Sequence, residues 1–217
     1  MSIAAELQGN VRTTSREDLA AGVQNVYLNN GGDVIVAQGL PPLAELARLG
    51  QGWSVRTPLA NAFQPVAAMP TTLANIVLYN GHATKSLIIS NVWAVTQTSI
   101  AAATSFSLLA QISNAGVAAP TDNTAALITS RSGKAYGGSS KRAIANTAFA
   151  IADKWTCVGT SEGHPSTAIG AGAFADLLGG WIVPPAACFC VNIVASTAGG
   201  TMIQGIDWFE AELDLGG

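Results

Sequence analysis

The sequence predicts a mainly β protein: an antiparallel β-sandwich of jelly-roll type, preceded by an irregular N-terminal arm or small platform. Three observations lead there. Between residues 71 and 217, short runs rich in Val, Ile, Thr and Trp recur, with turn signals about 10 to 15 residues apart. Long helical periodicity and fixed-period repeats are both absent. Charge is scarce: 11% of the 217 residues are Asp, Glu, Lys or Arg, against roughly a quarter in an ordinary globular chain. Hydrophobic residues make up 49% but aromatics only 6%, so the apolar content is mostly small aliphatic. Alanine alone accounts for 38 positions and glycine for 23.

Residues 1–70 read as the irregular part. Val23–Leu28 and Asp33–Gln38 are β-prone runs joined by Asn29-Asn30-Gly31-Gly32, a strong turn sequence. Pro41-Pro42 opens a short helical stretch, Leu43–Leu49, with Gly50 as its stop. Pro58, Pro65 and Pro70 interrupt the residues after it. Such a Pro-punctuated segment is expected to lie along the main domain or a neighbouring subunit.

Residues 71–217 read as strands throughout. In Thr72–Asn80, Ala74, Ile76 and Leu78 alternate with Asn75, Val77 and Tyr79, and Asn80-Gly81 makes a turn. Leu87–Thr98 carries residues that fit a pleated surface. Ser105–Ser113, Ala125–Ser130 and Lys154–Thr160 are further strands. Leu177–Val183 and Ala187–Ser196 flank a turn at Pro184-Pro185, and Met202–Leu213 is the last strand. A shift of phase near Trp208-Phe209 suggests a β-bulge.

The same composition excludes several classes. A disordered chain has low hydrophobicity and high net charge, and this one has neither. A net charge of −3 gives no general attraction to nucleic acid or anionic membrane. Residues 57–84, 86–121 and 177–206 hold no charge and exceed the roughly 20 residues of a membrane span. Their content argues otherwise: Leu87–Ala110 contains nine Ser, Thr, Asn or Gln residues, and Pro184-Pro185 breaks the last stretch. No basic n-region with an apolar core opens the chain, so no signal peptide is expected. Three cysteines without framework spacing fit a reducing compartment.

Motifs that carry chemistry fail on context. Gly159-Thr160-Ser161-Glu162-Gly163 matches the nucleophile elbow, but no helix pattern follows, and His164 is the only downstream histidine. A surface turn is the expected reading. Gly170-Ala171-Gly172-Ala173-Phe174-Ala175 resembles a dinucleotide fingerprint, yet no acid follows at the needed distance. Cys188 and Cys190 share one face of a strand, and zinc would need Cys157, His82 or His164 without the usual spacing. Buried cysteines acting as small hydrophobes are expected instead. No catalytic residue, metal or cofactor is therefore assigned.

Two blocks of opposite charge stand out. Residues 131–142 carry Arg131, Lys134, Lys141 and Arg142 in a Gly/Ser-rich run that reads as a long flexible loop. The last strand carries Asp207, Glu210, Glu212 and Asp214. Complementarity between the acidic strand of one subunit and the basic loop of another is the preferred reading. Nucleic acid contact by so small a basic footprint is disfavoured. Trp53, Trp93, Trp181 and Trp208 are candidate interface anchors, since buried Trp concentrates binding energy.

The stretch Trp181-Ile182-Val183-Pro184-Pro185-Ala186-Ala187-Cys188-Phe189-Cys190-Val191-Asn192-Ile193-Val194, then Ala198-Gly199-Gly200-Thr201 and Gly205-Ile206-Asp207-Trp208-Phe209-Glu210, has a familiar form. It resembles the closing hairpins of β-sandwich structural proteins in tailed-phage virions. The likeness covers about 35 residues. It implies a capsid-associated or decoration-type protein, often trimeric, with no catalytic site. The resulting expectation is a non-enzymatic homo-oligomer in the virion, made in the host cytoplasm and touching other capsid proteins. The alternative is a carbohydrate- or receptor-binding module on a similar sandwich, using Tyr79, Tyr136 and Trp155.

Overall fold

The computed structural model describes residues 8–9, 24–25, 42–57, 65, 67–69, 74–98, 104–113, 128–144, 154–164, 172–196 and 200–213. The chain divides into two compact units, Met1–Leu40 and Pro41–Gly217. In the first, β1 (Gln8–Gly9) pairs antiparallel with β2 (Gln24–Asn25). The expected turn at Asn29–Gly32 and its second run lie outside the described residues.

The second unit opens with α1 (Pro42–Arg48). Its end is a Schellman motif: Gly50 N–H donates to Ala47 O (3.0 Å) and Gln51 N–H to Leu46 O (2.9 Å). Gly50 holds a φ of +74°, which a side chain would strain, so this glycine is the stop read from the sequence.

Ten strands follow among the described residues: β3 (Gly52–Arg56), β4 (Ile76–Tyr79), β5 (Lys85–Thr96), β6 (Thr104–Ser113), β7 (Ile128–Ser130), β8 (Lys141–Ile144), β9 (Thr156–His164), β10 (Gly172–Val183), β11 (Cys188–Ala195) and β12 (Met202–Glu212). They form two five-stranded antiparallel sheets, β10-β5-β12-β3-β7 and β8-β4-β11-β6-β9. Four successive strands pair with four later ones in reverse order: β3 with β12, β4 with β11, β5 with β10 and β6 with β9. A long antiparallel ribbon rolled in this way is a jelly roll, as expected. The short strands β7 and β8 both lie in the β6–β9 connection, and each extends a different sheet. Residues 131–140 therefore cross from one sheet to the other.

Two expectations change. The irregular segment was expected to reach residue 70, but β3 pairs with both β12 and β7 inside the sandwich. Trp53 and Val55, spaced by two, supply the inward apolar face that makes this run a strand. The strand expected to end at Thr160 runs on to His164, so β9 contains the whole 159–163 glycine motif.

The core lies between the sheets. Val55, Leu87, Ile89, Ile206 and Trp208 from one sheet pack with Ile76, Leu78, Phe106, Leu108, Phe189, Val191 and Ile193 from the other. In β4, Ile76 and Leu78 face this core and Val77 does not, as the alternation predicts. Ala74 precedes the strand and packs with Val77 instead.

The suspected bulge is real, though its extra residue is on β5. Asp207 pairs with Asn91 and Trp208 with Ile89, leaving Ser90 unpaired. Ser90 Oγ donates to Asp207 O (3.1 Å), which satisfies the kink. Opposite the same point, β10 loops out between Asp176 and Trp181, with positive φ at Leu178 and Gly179. No helix among the described residues is long and apolar enough to cross a membrane.

Among the described residues, the buried side chain with the most unmet polar atoms is that of Gln204. Gln204 is fully buried, and neither its Oε1 nor its Nε2 finds a partner among the described residues. Each such atom costs about 1–3 kcal/mol in lost hydration. Gln204→Met keeps the length and removes both polar atoms. It should raise the chemical-denaturation midpoint, with a gain of about 1 kcal/mol or more. A fall in the midpoint would mean that the amide has a partner after all.

Candidate functional site

Two features of the second unit gather polar or aromatic chemistry. The first is a buried hub on Glu210, near the end of β12. Tyr136 Oη donates to Glu210 Oε1 at 2.9 Å, and His82 Nε2 lies 3.1 Å from the same oxygen. Trp208 Nε1 and Ser140 Oγ reach it at 3.5 Å. Ser140 N–H donates in turn to Tyr136 Oη (2.8 Å). Tyr136 meets Trp53 edge-on, with centroids 4.7 Å apart.

The local sequence explains how these groups converge. Asn80 fixes the turn after β4: its Nδ2 donates to Lys85 O and Val183 O, and its Oδ1 accepts from His82 N–H. That places His82 over the end of β12. The crossover 131–140 folds back so that Tyr136 plugs the core, only 7% exposed.

Burial alone would push the Glu210 carboxyl up. Hydrogen bonds from His82, Tyr136 and Trp208, together with attraction to His82, outweigh it, and the net direction is down. The Tyr136 phenol is pushed well up, by burial first and then by the Glu210 charge, so it stays a proton donor. The Glu210 side chain is only 5% exposed, so no substrate-sized molecule reaches the hub. Its chemistry is anchoring: one carboxylate ties the crossover and the β4–β5 turn to β12.

The expected charge complementarity is made within one chain. Arg131 Nη2 lies 2.9 Å from Asp207 Oδ2, and its guanidinium stands over the Phe209 ring (5.6 Å). Lys134 Nζ donates to Leu49 O (3.1 Å). Arg142 is 3% exposed and donates to Arg56 O. Lys141 is half-buried on β8 opposite Tyr79. Glu212 is exposed and accepts from Thr84 Oγ1 (3.4 Å). Asp214 lies outside the described residues. The stretch expected to be a free basic loop is thus pinned at Arg131, Lys134, Tyr136 and Ser140.

The tryptophans divide likewise. Trp53 and Trp208 are core residues, wholly or almost wholly buried by their own chain, and so do not serve as interface anchors. Trp181 is half-buried and packs edge-on against Phe189 at 5.7 Å. Trp93 alone of the four candidates faces outward. Among the aromatics suggested for glycan contact, Tyr136 is buried, while Tyr79 and Trp155 pack over Val77, Cys188 and Cys190.

That last layer explains the cysteines. Cys188 and Cys190 share the outer face of β11, both fully buried. Burial pushes the Cys188 thiol up to about 12, and raises Cys190 further with help from Cys188. Both stay protonated and inert. Cys157 is exposed. Among the described residues, no group of three or more His, Cys, Asp or Glu could hold a metal ion. Ser161 pairs opposite Phe106 within a continuous strand, so the strand-to-helix elbow does not form.

The second feature is a groove on the outer face of the β10-β5-β12-β3 sheet. Phe174, Trp93, Gly205 and Arg56 are successive cross-strand partners. Two residues along, Asp176, Asn91, Asp207 and Ser54 form a parallel polar row. The Trp93 indole is seated closely against Gly205: a Cβ there would stand 2.2 Å from its Cε2 and Cζ2. Only glycine allows that approach. Phe174 is 69% exposed. With its amide oriented to satisfy both neighbours, the Asn91 nitrogen donates to Asp176 Oδ1 (3.2 Å) and Ser90 O (2.9 Å). The groove holds about 430 Å³.

No protein-family model matches the chain, and no curated protein or solved structure is significantly similar to it. Reading the sequence alone missed the hub because its members are far apart: His82 and Glu210 are separated by nearly the whole sandwich. It missed the groove because register, not spacing, brings Phe174 beside Trp93. The one legible sign was Gly205 in the interior of a long strand.

The hub makes a pH prediction. A lowered folded value means that Glu210 stabilises fully above the ordinary carboxyl range, near 4.3, and that this is lost as pH falls through the folded value. Glu210→Gln should cost about 1–3 kcal/mol at pH 7, read by thermal unfolding. The gap from the native chain should close in strong acid. A gap independent of pH would show that shape, not charge, is what matters.

Proposed function

We propose that this chain is a non-enzymatic structural protein of a virion, capsid-associated or of decoration type. It works through contacts with copies of itself and with other capsid proteins. The observation that carries the reading is the reverse-order pairing of β3–β6 with β12–β9, the jelly roll found in viral capsid and lectin domains. A fold hosts many functions, so the surface has to narrow the choice. Here a chain with 11% charge leaves Phe174, Leu178 and Ile182 exposed on one strand. Apolar patches of that kind mark contact sites on proteins. The resemblance of residues 181–194 and 198–210 to phage closing hairpins points the same way and favours a trimer. Nucleic acid is a poorer partner, since Arg131, Lys134 and Arg142 are engaged within the chain.

A carbohydrate- or receptor-binding module is the second reading. The groove between Phe174, Trp93 and Asp176 is the observation that favours it.

Light scattering on the purified chain tests the first reading. The expected mass is about three times 22.0 kDa, holding on dilution to micromolar protein. A monomer at every concentration overturns it. Another closed oligomer keeps the assembly role and overturns the trimer.

A further inference from the structure

We propose that the groove on the outer face of β10, β5 and β12 is a binding site for a neutral hexopyranose, as a free sugar or a residue of a glycan. This deepens the binding-module reading and is independent of assembly in a virion.

The two rows match the two sides of a sugar. A pyranose ring has a face of polarised C–H groups and a rim of hydroxyls. The C–H face suits the negative face of an aromatic ring, and Phe174 and Trp93 are direct cross-strand partners. Trp93 is seated against Gly205, which fixes the place of its indole before any ligand arrives. The hydroxyl rim needs acceptors and donors at the platform's edge. Asp176, Asn91 and Asp207 stand there in one row, themselves cross-strand partners. Asp176 Oδ1 is oriented by Leu178 N–H (3.0 Å) and the Asn91 amide, and Asp207 by Arg131. Preset acceptors of this kind give orientation and specificity in an otherwise apolar cleft.

The charge pattern chooses among occupants. An anionic sugar would meet the exposed Asp176 carboxylate. A second copy laid on this face would bury that carboxylate in a dry contact, which is costly without a partner charge. A neutral polyol supplies hydroxyl donors to it and leaves water at the rim.

The test is titration of the full-length chain with methyl glucopyranosides, galactopyranosides and mannopyranosides, followed by tryptophan fluorescence, together with an array of neutral oligosaccharides. N-acetylneuraminic acid is the anionic control. Saturable binding of at least one neutral pyranoside is expected. Phe174→Ala changes an exposed side chain, so the fold should survive; it should weaken binding roughly tenfold or more. Asp176→Asn should weaken it as well, and Gly205→Ala should abolish it by lifting the indole. No binding by any neutral sugar, binding only of the anionic control, or binding unchanged in Phe174→Ala each overturns the proposal. So does an oligomer that Phe174→Ala dissociates and no pyranoside perturbs, because the face then belongs to a subunit contact. A monomer that binds sugar would overturn the assembly reading alone.

Discussion

The register of β12 governs the second unit. This strand lies between β5 and β3, and its side chains alternate strictly. Met202, Ile206 and Trp208 face the core, and Glu210 continues that row into the hub. Gly205 and Asp207 face outward: Gly205 seats the Trp93 indole, and Asp207 lines the groove. Because the period is two, a slip by one residue would send Trp208 to solvent and Asp207 into the core. The bulge at Ser90 is what reconciles this register with β5. It absorbs one residue on the partner strand, so the alternation of β12 continues unbroken through Trp208 and Glu210.

Much of this architecture was legible in the sequence, for a physical reason. Long strands rich in aliphatic and aromatic residues carry enough pattern to be read, and β5, β6, β11 and β12 all do. The jelly-roll class followed from their number and spacing. What escaped was short or masked by its neighbours. β3 offers only Trp53 and Val55 as inward residues within a Pro-punctuated stretch. β8 begins at Lys141-Arg142, whose charges suggest a loop; its strand character comes from pairing with β4, which no local pattern records. Glycines at 159 and 163 suggested a turn, yet β9 carries on past both, with its register against β6 shifting beside each, and a Cβ on Gly159 would stand 3.1 Å from that of Ala175. The groove and the hub depend on which strands are neighbours, and a one-dimensional pattern does not carry that.

Charge scarcity takes on a different meaning in the folded chain. Four of the chain's 23 charged residues, Arg131, Lys134, Asp207 and Glu210, hold the crossover 131–140 across the open edge of the two sheets. Arg131 with Asp207, Lys134 with Leu49, and Tyr136 and Ser140 with Glu210 anchor it at four points. A Gly/Ser-rich loop of that length has high conformational entropy when free. Several weak anchors on rigid strands restrain it better than one strong contact, since each acts on a chain already confined by the others.

The outer face of β10 is where assembly and ligand binding make opposite demands. A subunit interface wants a continuous apolar strip, and Phe174, Leu178 and Ile182 supply one in outline. Two features interrupt it. Asp176 sets a carboxylate between Phe174 and Leu178, and the loop-out at Leu177–Gly180 breaks the edge that another strand would need for pairing. Both interruptions fall beside Trp93 and Asn91, at the groove. A purely structural face would gain from losing them, since each lowers dry burial and strand pairing. Their position makes sense if the Phe174 end of β10 meets a wet, hydroxylated ligand. Any contact between subunits would then fall to Leu178 and Ile182, beyond the bulge.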